Sequence, residues 1–254
     1  MKKPVVCIGV GEMGGVFARG LLKLGYPLIP VTRDLQLSEM ASEVSDPQAV
    51  LVSVAEKDID SVLAEMPGAW RDRLILLQNE LLPNDWKKHG IENPTVISVW
   101  FEKKPGQEFK VLIPSPVYGP HAQLVIDALT SLGIPTKKLH SEEELLNELV
   151  LKNVYILTTN IAGLETGGTV SELWNKNEKL ARSVVADVID IQSHLTQQKL
   201  NTDQLIQGML QAFDGDPEHN CKGRSAPARL GRALKIADEA GLPVHKLREI
   251  HAQA

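Results

Sequence analysis

Val5-Val6-Cys7-Ile8-Gly9-Val10-Gly11-Glu12-Met13-Gly14 is a short apolar run that passes directly into G-x-G-x-x-G. A β-branched apolar run ending in glycine suits a strand buried in a parallel sheet. Beyond it, Met13, Phe17, Gly20, Leu21 and Leu24 recur at the spacing of one buried helix face, and Gly25 stands where such a helix ends. In this setting each glycine has its own task. Gly9 makes the turn out of the strand, Gly11 lets the backbone approach a pyrophosphate, and Gly14 lets the helix pack closely on the strand. The helix N-terminus offers N–H groups and the positive end of its dipole. The order strand, glycine loop, helix therefore predicts a dinucleotide site built on Gly9, Val10, Gly11, Glu12, Met13 and Gly14.

The next strand bears on which dinucleotide is bound. Leu28–Thr32 reads as that strand, with Pro30 inside it, and runs into Arg33-Asp34. A carboxylate at this strand end serves the ribose hydroxyls of NAD, whereas a cation serves the 2′-phosphate of NADP. Arg33 points to NADP(H). Asp34 would serve NAD if the strand ran one residue further.

Strand and helix signals go on alternating outward from this unit. Ala49–Val54, Leu74–Leu77, Val96–Phe101 and Lys110–Ile113 read as strands, and Leu35–Val44, Asp58–Glu65 and His121–Leu132 as helices. From Ser141 the pattern is helical: Glu142–Leu164, Glu178–Gln197, Thr202–Ala212 and Ala226–Ala240. The expected fold is α/β, a doubly wound Rossmann sheet over residues 1–138 followed by an all-α domain over residues 139–254.

Composition narrows the function. With 254 residues, 43% of them hydrophobic, the chain can build a core without disulfide or metal staples. A net charge of −5 argues against nucleic acid as a partner. Two cysteines, Cys7 and Cys221, suit a reducing compartment, and no apolar stretch reaches the roughly 20 residues of a membrane span. Glu12 interrupts the opening Met1–Val10 segment too early for a signal peptide, so the expected location is cytoplasmic. Cys7 reads as a core thiol. His219 and Cys221 lack a second pair at ligand spacing, so no metal is expected. Glu102-Lys103-Lys104, before Pro105-Gly106, reads as a solvated turn.

Within the helical half, Lys152 stands among Val150, Leu151, Val154 and Ile156. Desolvation on such a helix lowers the proton affinity of a lysine and fits it to protonate a carbonyl oxygen that receives a hydride. The competing reading pairs Lys152 with Glu148, one turn earlier. Asn160 falls on the Lys152 face, because eight residues are close to two turns.

Gly9–Gly14, Arg33, Gln78-Asn79 after a strand, and Lys152 with Asn160 on a buried helix together resemble the ketopantoate reductase family, which is 6-phosphogluconate-dehydrogenase-like. The resemblance spans the chain in layout and implies an NADPH-dependent reductase of a small carbonyl compound. It implies that the glycine loop holds the pyrophosphate and Arg33 the 2′-phosphate. It places Asn79 beside the nicotinamide and substrate, makes Lys152 the proton donor, and gives Asn160 to the substrate. Three positions depart from the family pattern. Glu80 replaces the glycine of Asn-Gly, Ile156 replaces an asparagine, and Ser225 occupies the place of a glutamate that serves the substrate hydroxyl. These departures leave room for an imine reductase of the same architecture, or for a non-catalytic NADP-binding sensor or regulatory protein. The implied partners are a small-molecule substrate and, as a possible assembly, a homodimer.

Overall fold

The computed structural model describes residues 2–253; Met1 and Ala254, the outer bounds of the two expected domains, lie outside the described residues. The elements run β1 (Val5–Ile8), α1 (Glu12–Lys23), β2 (Leu28–Val31), α2 (Leu37–Glu43), β3 (Ala49–Val52), α3 (Ile59–Ala64), a 3-10 turn (Gly68–Arg73), β4 (Leu74–Leu76), α4 (Pro83–Lys87), β5 (Thr95–Ile97), β6 (Phe101–Glu102), β7 (Lys110–Val111), β8 (Ser115–Tyr118), α5 (Ala122–Thr130) and β9 (Thr136–Lys138). Helices follow: α6 (Glu142–Thr166), α7 (Val170–Thr196), α8 (Thr202–Gly215), α9 (Ala226–Ala240) and α10 (His245–Gln253). Two compact units result, Met1–Leu149 and Val150–Ala254.

The first unit holds a seven-stranded sheet in the order β2-β1-β3-β4-β5-β8-β9. Its strands pair in parallel except where β5 meets β8. The central strands β1 and β3, Val-Val-Cys-Ile and Ala-Val-Leu-Val, are buried at every residue. A strand covered on both faces reads as a continuous apolar run, which is why both were recognisable. β2 is an edge strand, so the exposed Pro30 costs no ladder bond on its outer side. At the other edge Lys137 and Lys138 are exposed, and charge there discourages further strand pairing. The chain reverses its winding between β1 and β3, the point at which open α/β sheets bind ligands beyond their strand ends.

Two local expectations need correction. Val96–Phe101 is not one strand: β5 stops at Ile97, and Phe101–Glu102 pairs with Lys110–Val111 as a separate hairpin. Hydrogen bonds away from the β4 side explain the break, since the Trp100 N–H donates to Ser115 Oγ at 2.9 Å. The turn carrying Lys103 is not merely solvated, because Lys103 Nζ lies 3.1 Å from Glu12 Oε2 in the glycine loop.

Helix α1 packs against α5 through Gly20, where a Cβ would lie 2.4 Å from the Ala128 backbone oxygen. Gly231 on α9 has open space at the same position. Gly20→Ala should therefore destabilise by roughly 1–3 kcal/mol through overpacking. Gly231→Ala should stabilise by about 0.4–1 kcal/mol, because a helical alanine restricts the unfolded chain. Urea denaturation of the two variants checks the opposite signs.

In the second unit α6 is buried on nearly all sides: Val150, Lys152, Asn153, Val154, Tyr155, Leu157, Thr158, Thr159, Asn160, Ile161 and Ala162 are all inside. α7 opens with a capping box between Thr169 and Glu172, and α8 with Asn201 Oδ1 accepting the Gln204 N–H. α10, absent from the sequence expectation, is capped from a distance: Asp187 Oδ2 accepts the N–H groups of Lys246 and Leu247 at 2.7 and 3.0 Å. Among the described residues no helix is long and apolar enough to cross a membrane.

Candidate functional site

Two of the three loop glycines, Gly9 and Gly14, have a steric reason inside the protein. Gly9 has φ +83°, a left-handed conformation that glycine adopts without cost. A Cβ on Gly14 would lie 2.4 Å from Ser53 Oγ and 2.6 Å from the Gly9 oxygen. A Cβ on Gly11 would meet nothing within 4 Å. The loop is thus closed on its inner side and open outward. Ser53, at the end of β3, donates its hydroxyl to the Gly9 carbonyl and locks the turn across the switch point. Sequence reading missed this serine, whose role depends on strand order. The first intrahelical bond of α1 runs from the Gly15 N–H to the Gly11 oxygen at 2.8 Å. The N–H groups of Glu12, Met13 and Gly14 precede it and belong to the helix end. The Met13 side chain packs against the core instead.

A cavity of about 670 Å³ opens beyond the carboxyl ends of β1, β2 and β3. Gly9, Val10 and Gly11 form one wall, and Val31, Thr32 and Arg33 another. Its size falls in the usual range for a cofactor cleft. Val10, 48% exposed, offers apolar surface at its rim. Arg33 lines the cavity and reaches Asp58 at 3.4 Å, whereas Asp34 is not among the described residues that line it. A second hollow of about 350 Å³ flanks α1 between Gly11, Glu12, Gly15, Arg19 and Lys103. The residues present therefore fit a dinucleotide, with open space where Gly11 lacks a Cβ at the edge of the cavity.

Asn79 follows β4, where its Nδ2 donates to Glu56 Oε1 at 3.0 Å. Glu80 has φ +63°, so this chain keeps the left-handed turn after Asn79 although it carries a side chain there. Such a conformation costs a non-glycine residue roughly 1–2 kcal/mol.

The second unit carries most of its buried polar groups on α6, with Gln192 on α7, Asp216 after α8 and Arg229 on α9. Lys152 is 9% exposed, and its Nζ lies 5.5 Å from the centre of the Tyr155 ring. Glu148, the alternative partner, pairs instead with Lys137 at 3.0 Å. Burial first, and the nearby Arg229 charge second, push the Lys152 ammonium down to about 7. Asn160 Oδ1 accepts from Arg229 Nη1 at 2.8 Å, and both side chains are buried. Arg229 was missed in the sequence because an arginine at helical spacing reads as surface. Ser225 is the N-cap residue of α9, one turn before Arg229, and its carbonyl accepts the Arg229 N–H at 2.9 Å. Ile156, where the resembled family has an asparagine, follows Tyr155 on the same helix.

The remaining candidates have structural surroundings. Burial pushes the Cys7 thiol up to about 11; burial together with Glu172 pushes Cys221 up to about 12. His219 Nδ1 faces Asp216 at 3.5 Å. Among the described residues no three histidine, cysteine or acidic side chains gather as a metal site.

No protein-family model matches the chain, and no curated protein matches its sequence. Solved structures do match its fold. A ketopantoate reductase from Ralstonia eutropha superposes with a TM-score of 0.68 at 15% identity, covering 98% of this chain and 96% of the other. A dimeric ketopantoate reductase from Staphylococcus aureus gives 0.65 at 16% identity, covering 98% and 96%. A D-mandelate dehydrogenase solved with NADH gives 0.65 at 12% identity, covering 99% and 97%. The fold is thus the ketopantoate reductase fold, a Rossmann-type sheet followed by a helical unit, as the sequence resemblance implied.

Proposed function

We propose that the chain is an NADPH-dependent reductase of a small carbonyl compound, a 2-oxo acid in the first place, with Lys152 as proton donor. One observation carries this reading: a lysine buried on the central helix of one unit, with its proton affinity brought to about 7, in a chain whose other unit carries a glycine-loop cavity. The fold neighbours that reduce or oxidise 2-oxo and 2-hydroxy acids support it.

The dinucleotide, when bound, supplies the hydride to the carbonyl carbon. The N–H groups at the start of α1 would hold its pyrophosphate, and Arg33 would hold the 2′-phosphate. Asn79 and Asn160 offer amides to the substrate. Lys152 gives its proton to the carbonyl oxygen as negative charge develops there, so a hydroxyl forms and a neutral amine remains. Water then returns a proton to that amine.

NADPH oxidation against a panel of 2-oxo acids, aldehydes and cyclic imines tests the proposal; reduction of a 2-oxo acid is the expected result. Ser225 at the family's glutamate position favours a second reading, a non-catalytic NADP-binding protein. NADPH binding without oxidation by any panel member would decide for it. The dimeric neighbour supports a homodimer, which sedimentation equilibrium would check.

Cofactor choice gives a sharper test. Arg33→Ala should weaken NADPH by about ten- to hundred-fold, the worth of a charge-assisted bond, while NADH changes little. Equal weakening of both cofactors would remove Arg33 from this role.

A further inference from the structure

Glu12 is an awkward residue for an anion site. It stands inside G-x-G-x-x-G on the first turn of α1, next to the open space at Gly11. While the site is empty, a carboxylate at a helix N-terminus complements the dipole. Beside a bound pyrophosphate it is a like charge. The structure sets a cation against it from outside the βαβ unit: Lys103 Nζ lies 3.1 Å from Glu12 Oε2. We propose that Lys103 is a cofactor-binding residue of this chain, held by Glu12 in the empty protein and passed to a pyrophosphate oxygen when a dinucleotide binds. The inference rests on the dinucleotide reading of the glycine loop.

Lys103 reaches this place on a support that does not depend on the ion pair. It follows β6 directly, and β6 pairs with β7 through Phe101 with Val111 and Glu102 with Lys110. Aromatic contacts fasten this hairpin to α1. The Phe101 ring lies 6.1 Å from that of Phe17, and the Arg19 guanidinium stands 6.0 Å from the centre of the Phe109 ring. Phe17 and Phe101 are buried, so apolar burial rather than charge carries the hairpin. Removing either charge of the pair should therefore leave the hairpin seated.

The ammonium also faces a hollow of suitable character. Lys103 and Arg19 line the space of about 350 Å³ beside α1, together with Val10, Gly11, Glu12 and Gly15. Val10 and Gly11 line the larger cavity too, so the two spaces adjoin at the glycine loop. Arg33 lines the larger cavity, on its far wall, and Lys103 the smaller one. A glycine inside a helix costs stability relative to alanine, yet nothing within 4 Å of a Cβ on Gly15 requires one. Its bareness leaves the hollow open beside the two cations. The partners of the ion pair are unequal as well. The Lys103 side chain is 20% exposed and is also bonded to the Lys104 carbonyl at 2.9 Å, whereas Glu12 is 46% exposed. A pair with so exposed a carboxylate holds weakly. A pyrophosphate carries a charge on each phosphate and offers stronger acceptors than the carboxylate it displaces.

Fluorescence titrations with NADPH and with NADH, without substrate, test the proposal on wild type, Lys103→Met, Glu12→Gln and the double variant. The pyrophosphate is common to both cofactors. Lys103→Met should therefore weaken both alike, by about tenfold, as for a lost charge-assisted bond. Arg33→Ala, by contrast, acts on NADPH. Glu12→Gln should tighten both by roughly threefold or more, since a nearby like charge leaves and Lys103 is released. The two single variants break the same ion pair. A pair that only fastened the hairpin to α1 would weaken binding in both, and would lower the melting temperature of the empty protein in both. Opposite signs in affinity exclude that role. The loss on Lys103→Met should persist in the Glu12→Gln background. If it disappears there, Lys103 only screens Glu12 and the proposal is overturned. If Lys103→Met does not fold, Lys103→Gln reads the same loss. Unchanged affinities in a folded Lys103 variant, or weakening of NADPH alone, overturn the proposal and leave the glycine-loop reading standing. Wild type that binds neither cofactor overturns both.

Discussion

Gly11→Trp is expected to abolish dinucleotide binding while leaving the fold of the empty protein intact. Gly11 is the N-cap residue of α1 with φ −69° and ψ −168°, extended backbone that any residue adopts. A Cβ there meets nothing within 4 Å, so a side chain can begin there without displacing its neighbours. The space an indole takes there adjoins the cavity that Gly9, Val10 and Gly11 line. A pyrophosphate displaced from that place loses several charge-assisted bonds at once, so affinity should fall by at least ~100-fold, or about 2.7 kcal/mol. Fluorescence titration with NADPH, beside circular dichroism and a thermal melt, reads both halves of the expectation. NADPH affinity equal to wild type in a folded variant would remove the glycine loop from the site. Gly14 would be a poor choice for the same experiment, because its Cβ would collide with Ser53 Oγ and the Gly9 oxygen, and lost binding would then report a damaged fold.

That contrast explains why much of the fold was legible in the sequence. Val5–Ile8 and Ala49–Val52 are buried on both faces, so their apolar character is uninterrupted, and the glycine loop follows from a chemical need local in sequence. α9 was legible to the residue, Ala226–Ala240, because Pro227 and Gly241 mark its ends. Other elements owe their existence to distant partners. β8 is Ser-Pro-Val-Tyr, and Pro116 hides its strand character until it lies between β5 and β9. β9 is Thr-Lys-Lys and carries no alternation. α10 buries Leu247 and Ile250 and takes its cap from Asp187 on α7, which no local pattern announces.

The same division holds for the candidate site. Gly9, Gly11 and Arg33 are near each other in sequence or joined by one βαβ unit, so their convergence on one cavity could be expected. Ser53 meets Gly9 because β3 lies beside β1, and Arg229 meets Asn160 because α9 lies beside α6, 69 residues away. Tertiary proximity produced both, and neither residue type stands out where it occurs. The Glu148 partner that helical spacing offered Lys152 had the same character. Lys137 takes that carboxylate instead.

Lys152→Met is the prediction with two opposed consequences. Turnover should fall by ~10²–10⁴, the usual loss for a general acid, with NADPH affinity nearly unchanged. Stability should rise, because methionine fills similar space without a charge to bury. The sign follows from the direction of the shift. The unfolded lysine titrates near 10.5 and the folded one near 7. The folded state therefore holds fewer protons between those values, and wild-type stability rises with pH across that window. Below about 7 the whole penalty is present, on the order of a few kcal/mol. Above about 10.5 it is gone. The variant should thus melt several degrees higher than wild type at pH 6, at roughly 2–4 °C per kcal/mol, and the gap should close by pH 11. Melting curves at the two pH values, with single-turnover NADPH oxidation at pH 7, measure both consequences. A variant less stable than wild type at pH 6 would show that Lys152 holds the helices together as a paired cation. A variant more stable but equally active would move the proton donor elsewhere. Higher stability together with lost turnover is the outcome that a lysine buried for chemistry requires.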